Sequence, residues 1–186
     1  EAERRALLEV WESGSPFRYW GPGRPAKVQA FEEAFAKVMG TKFALGVTSG
    51  TAALDCAMAA LGIGPGDEVI VPAYTWWSDY TCVVQAAALP VFAEIDRSLT
   101  LDPEDFERRI TPRTKAVIAV HLLGGPCDME AILAIARQHK IDVVPGPARS
   151  APTEVSTKMP VPMMAPIPSI ISWNGPSVRR SALRSA

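Results

Sequence analysis

From Phe43 to Val144 the chain alternates short apolar runs with helical segments, and this alternation constrains the fold more than any other feature. Phe43 to Val47, Glu68 to Val71, Val91 to Ile95, Lys115 to His121 and Asp142 to Val144 read as strands, the first with the edges of a buried one. Between them the spacing predicts helices. One follows Ser49, carries Leu54, Met58 and Leu61, and stops at Gly62; another runs from Trp77 to Ala87. A short helix is capped by Asp102 with Pro103 in its first turn. A further one is capped by Asp128, with Met129, Ile132, Leu133 and Ala136 on one face, and Arg137, His139 and Lys140 at its end, where positive charge is favoured. Upstream, Glu3 to Trp11 sets Leu7, Leu8 and Trp11 on one face. Ala26 to Met39 sets Val28, Phe31, Phe35, Val38 and Met39 on one stripe. The βαβα order implies an α/β fold: a mostly parallel sheet with helices on both faces, three layers in all, joined by right-handed crossovers.

Ligands of such sheets bind at the C-terminal strand ends, and Ser49–Thr51, Ala73–Trp76 and Pro145–Pro147 all fall there. The sharpest of these segments is Val47-Thr48-Ser49-Gly50-Thr51-Ala52-Ala53-Leu54. It reads as a strand end, a turn of small polar residues, and a helix with Ser49 as N-cap. The N–H groups of Gly50 and Thr51 are then unpaired donors at a positive helix end, an anion site for which phosphate is the usual guest. Gly50 permits close approach, and the Thr51 hydroxyl adds a donor. The same residues also suit an ordinary capped turn with no ligand. His121 follows a strand at the same edge; without an identifiable carboxylate partner, a structural hydrogen bond is expected of it rather than general-base work. His139 reads as a helix-end cation.

Net charge is −1 and no Lys/Arg-rich block precedes the extreme C-terminus, so nucleic acid and anionic membrane are poor partners. No signal peptide or membrane-spanning run is present in the sequence. Cys56, Cys82 and Cys127 have no CxxC spacing and no His at metal-ligand intervals, so no metal is expected; they read as buried free thiols of a reducing cytoplasm. Glu1 in place of Met predicts a cut or processed N-terminus.

At Pro145 the pattern fails. Eight of the 17 prolines lie from there onward, and Glu154 is the only acid among Arg149, Lys158, Arg179, Arg180 and Arg184. Proline at almost every second position from Pro160 to Pro168 forbids helix and permits at most an edge strand. Residues 1–144 and the Pro-rich tail 145–186 are thus two compartments. The tail is either a disordered, polyproline-like segment or not the chain's proper continuation.

Residues 3–144 resemble the DegT/DnrJ/StrS family of pyridoxal-phosphate-dependent sugar aminotransferases. The matching segments are Gly21-Pro22 with Phe31-Glu32-Glu33-Ala34-Phe35, the Val47–Leu54 octapeptide, Gly62 through Trp76, Ile110 through Ile118, and Val120 through Met129, in the family's order and spacing across about three quarters of the chain. The resemblance implies the large domain of a fold type I transferase, here truncated, and a cytoplasmic homodimer with shared active sites. It implies pyridoxal 5′-phosphate as cofactor, with Gly50 and Thr51 holding its phosphate and Trp76 stacking on its pyridine ring. From the residues alone Trp76 reads as a core tryptophan at a helix start; the resemblance favours the stacking role instead. The implied reaction moves an amino group from glutamate or glutamine to a keto-sugar or keto-cyclitol.

Two further groups belong to that chemistry: a lysine that forms a Schiff base with the cofactor, and a carboxylate on the pyridinium nitrogen. In the family the carboxylate follows the strand ending here at Val144, where this chain has Pro145-Gly146. The lysine should follow a Ser-Phe-Asn-Gly-Ser-like segment, but Ser172-Trp173-Asn174-Gly175-Pro176-Ser177 leads to Val178-Arg179, and Lys158 lacks the matching context. No catalytic residue is therefore assigned, the small C-terminal domain is missing, and little or no transaminase activity is expected. A frameshifted continuation after Val144 and a pseudoenzyme with a genuine tail both account for this. A phospho-ligand binding protein on the same scaffold is the non-catalytic alternative. A dehydratase with His in the lysine's place finds no support, since no His follows His139. A nucleotide-binding domain lacks both GxGxxG and a Walker lysine. A sheet cut after its fifth strand should expose apolar surface, especially around Trp11, Trp20 and Trp76.

Overall fold

The computed structural model describes residues 1–14, 27–122, 125–145 and 170–173. In chain order its elements are α1 (Ala2–Glu12), α2 (Lys27–Met39), β1 (Phe43–Gly46), α3 (Gly50–Leu61), β2 (Glu68–Pro72), α4 (Trp77–Gln85), β3 (Leu89–Ala93), α5 (Pro103–Arg109), β4 (Thr114–Ala119), α6 (Met129–His139), β5 (Asp142–Pro145) and β6 (Ile170–Trp173). They fall into two units, Glu1–Gly46 with the segment from Ile170, and Val47–Ser169.

The larger unit is the α/β body. Its four strands are parallel in the order β3-β2-β4-β5. Ile70, Val117 and Ala119 point to one face, where Phe106 of α5 and Ile132 and Ala136 of α6 complete a core with Leu101. Val69, Val71, Ala116 and Ile118 point the other way and are buried as well. A sheet covered on both faces needs continuous apolar strands, and β2 is buried along its whole length. Strand β3 starts at Leu89, two residues before the expected Val91, and carries Pro90. It can do so because it is an edge strand, where a missing N–H leaves no gap in the ladder.

Local chemistry sets the element ends. Gly62 closes α3 with a left-handed φ of 65°, as the helix stop predicted from sequence requires. Asp102 accepts the Glu104 N–H at 2.9 Å and Asp128 that of Ala131 at 3.0 Å, so both predicted caps form. The N-terminal strand edge is held by charge. Buried Glu68 accepts from the Thr111 hydroxyl and pairs with Arg113, while Lys115 meets Asp67 at 2.9 Å. Asp105 accepts the Glu94 N–H at 2.7 Å and also binds Arg108 and Arg109.

The smaller unit departs from expectation. Strand β1 lies in a two-stranded sheet, antiparallel to β6, with Phe43 opposite Trp173 and Gly46 opposite Ile170. A short strand thus lies within the Pro-rich tail, at Ile-Ile, where β-branched residues follow the last of the closely spaced prolines. The stripe on α2 is only partly covered: Phe31 and Phe35 are half-buried, Val28, Val38 and Met39 are exposed, and Glu32 and Ala36 are the buried residues. Glu32 is drawn in because its carboxylate accepts the Gly46 N–H at 2.6 Å. No residue of α1 is buried, and Trp11 is exposed; β1 is half-buried, with Phe43 exposed. Periodicity shows which residues share a face, not that another element covers it. Lys27 of α2 pairs with Glu9 of α1. Among the described residues no helix is long and apolar enough to cross a membrane. The same residues contain no His, Cys, Asp and Glu grouping that could hold a metal.

Candidate functional site

Helix α3 begins directly after the turn at Thr48-Ser49, as the octapeptide predicts. The Ser49 hydroxyl accepts the Ala52 N–H at 3.0 Å, and the Ser49 carbonyl accepts that of Ala53 at 3.0 Å. The cap therefore satisfies the third and fourth residues of the helix. The N–H groups of Gly50 and Thr51, ahead of them, meet no acceptor among the described residues. Two aligned donors at the positive end of a 12-residue helix can hold a phosphate.

The Thr51 hydroxyl is 2.8 Å from that of Ser78, which is buried in the first turn of α4. Trp76, two residues earlier, is the N-cap of that helix and follows the C-terminal end of β2. Its side chain is 60 % exposed, so it is not a core tryptophan, and the body packs without it. The Thr51–Ser78 contact thus brings the predicted phosphate turn and the predicted stacking residue to one corner of the larger unit. Trp77 is exposed too. Trp20 lies outside the described residues.

Ser78 and Asp79 were not singled out from sequence. Asp79 is fully buried, and its Oδ2 accepts the Trp76 N–H at 3.1 Å and the Thr75 hydroxyl. Its Oδ1 has no partner among the described residues. Burial raises the Asp79 carboxyl above its ordinary value, against the two hydrogen bonds. The available signal was an acid three residues after the N-cap position. Cys82, one turn on, is pushed up to about 12 by burial and by Asp79 and Asp55, so it stays a thiol. Cys127 is buried, and Cys56 is half-buried rather than buried.

His121 makes the structural hydrogen bond expected of it: the Cys127 N–H donates to Nδ1 at 3.0 Å. A neutral ring then carries its proton on Nε2. Burial lowers its affinity for a second proton. His139 is the last residue of α6, and its Nε2 lies 3.3 Å from Glu107. Lys115 and Lys140, the described lysines of the larger unit, stand at the opposite strand edge. Gly146, Lys158 and residues 174–179 lie outside the described residues.

A parallel α/β body whose helix N-terminus and exposed indole lie at its C-terminal strand edge is typical of the large domain of a fold type I, pyridoxal-phosphate-dependent transferase. The chain belongs to the DegT/DnrJ/EryC1/StrS aminotransferase family, whose profile matches residues 2–162 and so runs past Val144. It is 44 % identical over 158 residues to the spore coat polysaccharide biosynthesis protein SpsC of Bacillus subtilis (strain 168), covering 84 % of this chain and 39 % of that protein. It is 40 % identical over 157 residues to the GDP-perosamine synthase of Vibrio cholerae, covering 84 % and 41 %. Among solved structures it is similar to NtdA from Bacillus subtilis with bound cofactor PMP, with a TM-score of 0.72 and 30 % identity over 82 % of this chain and 34 % of that one. The chain spans about two fifths of the length of the curated relatives it matches.

Proposed function

We propose that this chain carries the phosphate cup and ring platform of a pyridoxal-phosphate aminotransferase acting on a keto-sugar or keto-cyclitol, with glutamate or glutamine as amino donor. Gly50 and Thr51 bind the phosphate and Trp76 covers the ring. The observation that carries this reading is the Thr51–Ser78 hydrogen bond, which joins the first turn of α3 to the first turn of α4, the helix whose N-cap is the exposed Trp76. When bound, pyridoxal phosphate supplies the electron sink for moving an amino group between carbon centres. The chain's own part is to fix the phosphate, through two backbone donors and the Thr51 hydroxyl, and to hold the ring plane. Polysaccharide building blocks as products, a homodimer and a cytoplasmic location belong to the same reading.

Residues 1–144 are taken as the N-terminal part of the large domain and 145–186 as a divergent tail. Because Gly146 and Val178-Arg179 stand where the family has its carboxylate and lysine, the chain as written binds cofactor without turning over. Incubation with pyridoxal phosphate, borohydride reduction and mass spectrometry should give no single lysine adduct, and an amino donor should not be consumed. A unique adduct together with turnover would overturn this. The same substitution favours a second reading, a phospho-ligand binding protein without covalent chemistry. A site that binds plain phosphate as tightly as pyridoxal phosphate would select it.

A further inference from the structure

Asp79 combines features that helix capping alone does not call for. Its carboxylate is fully buried, its hydrogen bonds go to the main chain of Trp76 and the side chain of Thr75, and Oδ1 has no partner among the described residues. Burying an unpaired carboxylate oxygen is costly, and a neutral Ser or Asn at the same place would avoid most of that cost. What the carboxylate achieves is local: it ties the two residues ahead of α4 to the first turn of that helix. One of them, Trp76, bears an indole and is 60 % exposed, and its main-chain N–H is held by Asp79. Ser78, the neighbour of Asp79, faces the Thr51 hydroxyl from the same turn. The first turn of α4 therefore has two separate attachments, one to the phosphate cup and one to the ring platform.

We propose that Asp79 is a positioning residue that fixes the Thr75-Trp76 main chain, so that the indole stands ready as a ring platform beside the phosphate cup. This rests on the reading of Gly50, Thr51 and Trp76 given above. Asp79 touches no ligand in this scheme; it acts through Trp76. Ser78 acts on the phosphate half through Thr51.

The two attachments make opposite predictions for two ligands that share a phosphate but differ in a ring. Pyridoxine 5′-phosphate, which has no aldehyde to react with surface amines, and inorganic phosphate are titrated into the full chain by calorimetry. Asp79→Ala should weaken pyridoxine phosphate about threefold to tenfold, the worth of a well-placed aromatic contact, and leave inorganic phosphate within about twofold. Ser78→Ala should weaken both ligands by the same factor. Asp79→Asn keeps a carbonyl acceptor for the Trp76 N–H and should recover most of the ring preference; it also serves if Asp79→Ala does not fold. A second readout needs no ligand. With Trp11, Trp20, Trp77 and Trp173 changed to Phe, the fluorescence anisotropy of Trp76 should decay faster when Asp79→Ala is added. An unchanged ratio of the two affinities together with unchanged anisotropy would reduce Asp79 to a structural cap and overturn the proposal. If the unsubstituted chain itself shows no preference for pyridoxine phosphate, the cofactor reading fails, and the anisotropy still decides whether Asp79 holds Trp76.

Discussion

The hydroxyls of Thr51 and Ser78 stand 2.8 Å apart and join the first turn of α3 to the first turn of α4. Ser78 is buried and Thr51 half-buried, so the α4 partner of the contact is the more shielded. With Ser78 as donor, the Thr51 proton is free for an anion at the N–H groups of Gly50 and Thr51.

Thr51→Val keeps the shape of the side chain and removes the hydroxyl. Inorganic phosphate should bind about fivefold more weakly, the worth of one hydrogen bond. The stranded Ser78 hydroxyl should cost about 1–3 kcal/mol of stability. Calorimetric titration and urea unfolding measure the two effects. Unchanged phosphate affinity would remove Thr51 from the anion site.

Glu68 is held below its ordinary pKa of 4.5, first by the Thr111 hydroxyl and then by Arg113, against the opposing effect of burial. A depressed carboxylate binds its proton more readily in the unfolded chain. Its contribution to stability is therefore complete above 4.5 and lost as pH falls through the lower folded value. Glu68→Gln should flatten the acid limb of the stability profile below pH 4.5 and, at neutral pH, lower the urea midpoint. An acid limb identical to that of the unsubstituted chain would exclude Glu68 as a contributor.

His121 also has a lowered pKa, caused by burial, and its Nδ1 is already occupied by the Cys127 N–H. Protonation at Nδ1 would put two donors face to face. The unfolded chain takes the proton first, so stability should fall as pH drops from the ordinary value of 6.5 through the folded one. Nitrogen-15 NMR should show the Nε2–H tautomer at neutral pH and a titration midpoint below 6.5. A midpoint at or above 6.5, or an Nδ1–H tautomer, would contradict the hydrogen bond.

Sequence made the α/β body legible because its signals are local. Apolar runs of strand length, Ser49, Asp102 and Asp128 as caps, and Gly62 as a stop depend on neighbours within a few residues. The anion turn at Gly50-Thr51 was legible for the same reason. Asp79 was not, because its meaning depends on complete burial, and Ser78 was not, because its partner is 27 residues away.

By itself, then, the sequence determined the order of strands and helices, the caps that bound them, and the family segments from Val47 to Met129. Only tertiary structure decided that β1 lies antiparallel to Ile170–Trp173, that Glu32 is buried while Val28, Val38 and Met39 of the α2 stripe are exposed, and that Trp76 faces solvent at the start of the helix that Ser78 joins to Thr51. Strand pairing, burial and side-chain contact are set by residues distant in the chain, and local periodicity carries no record of them.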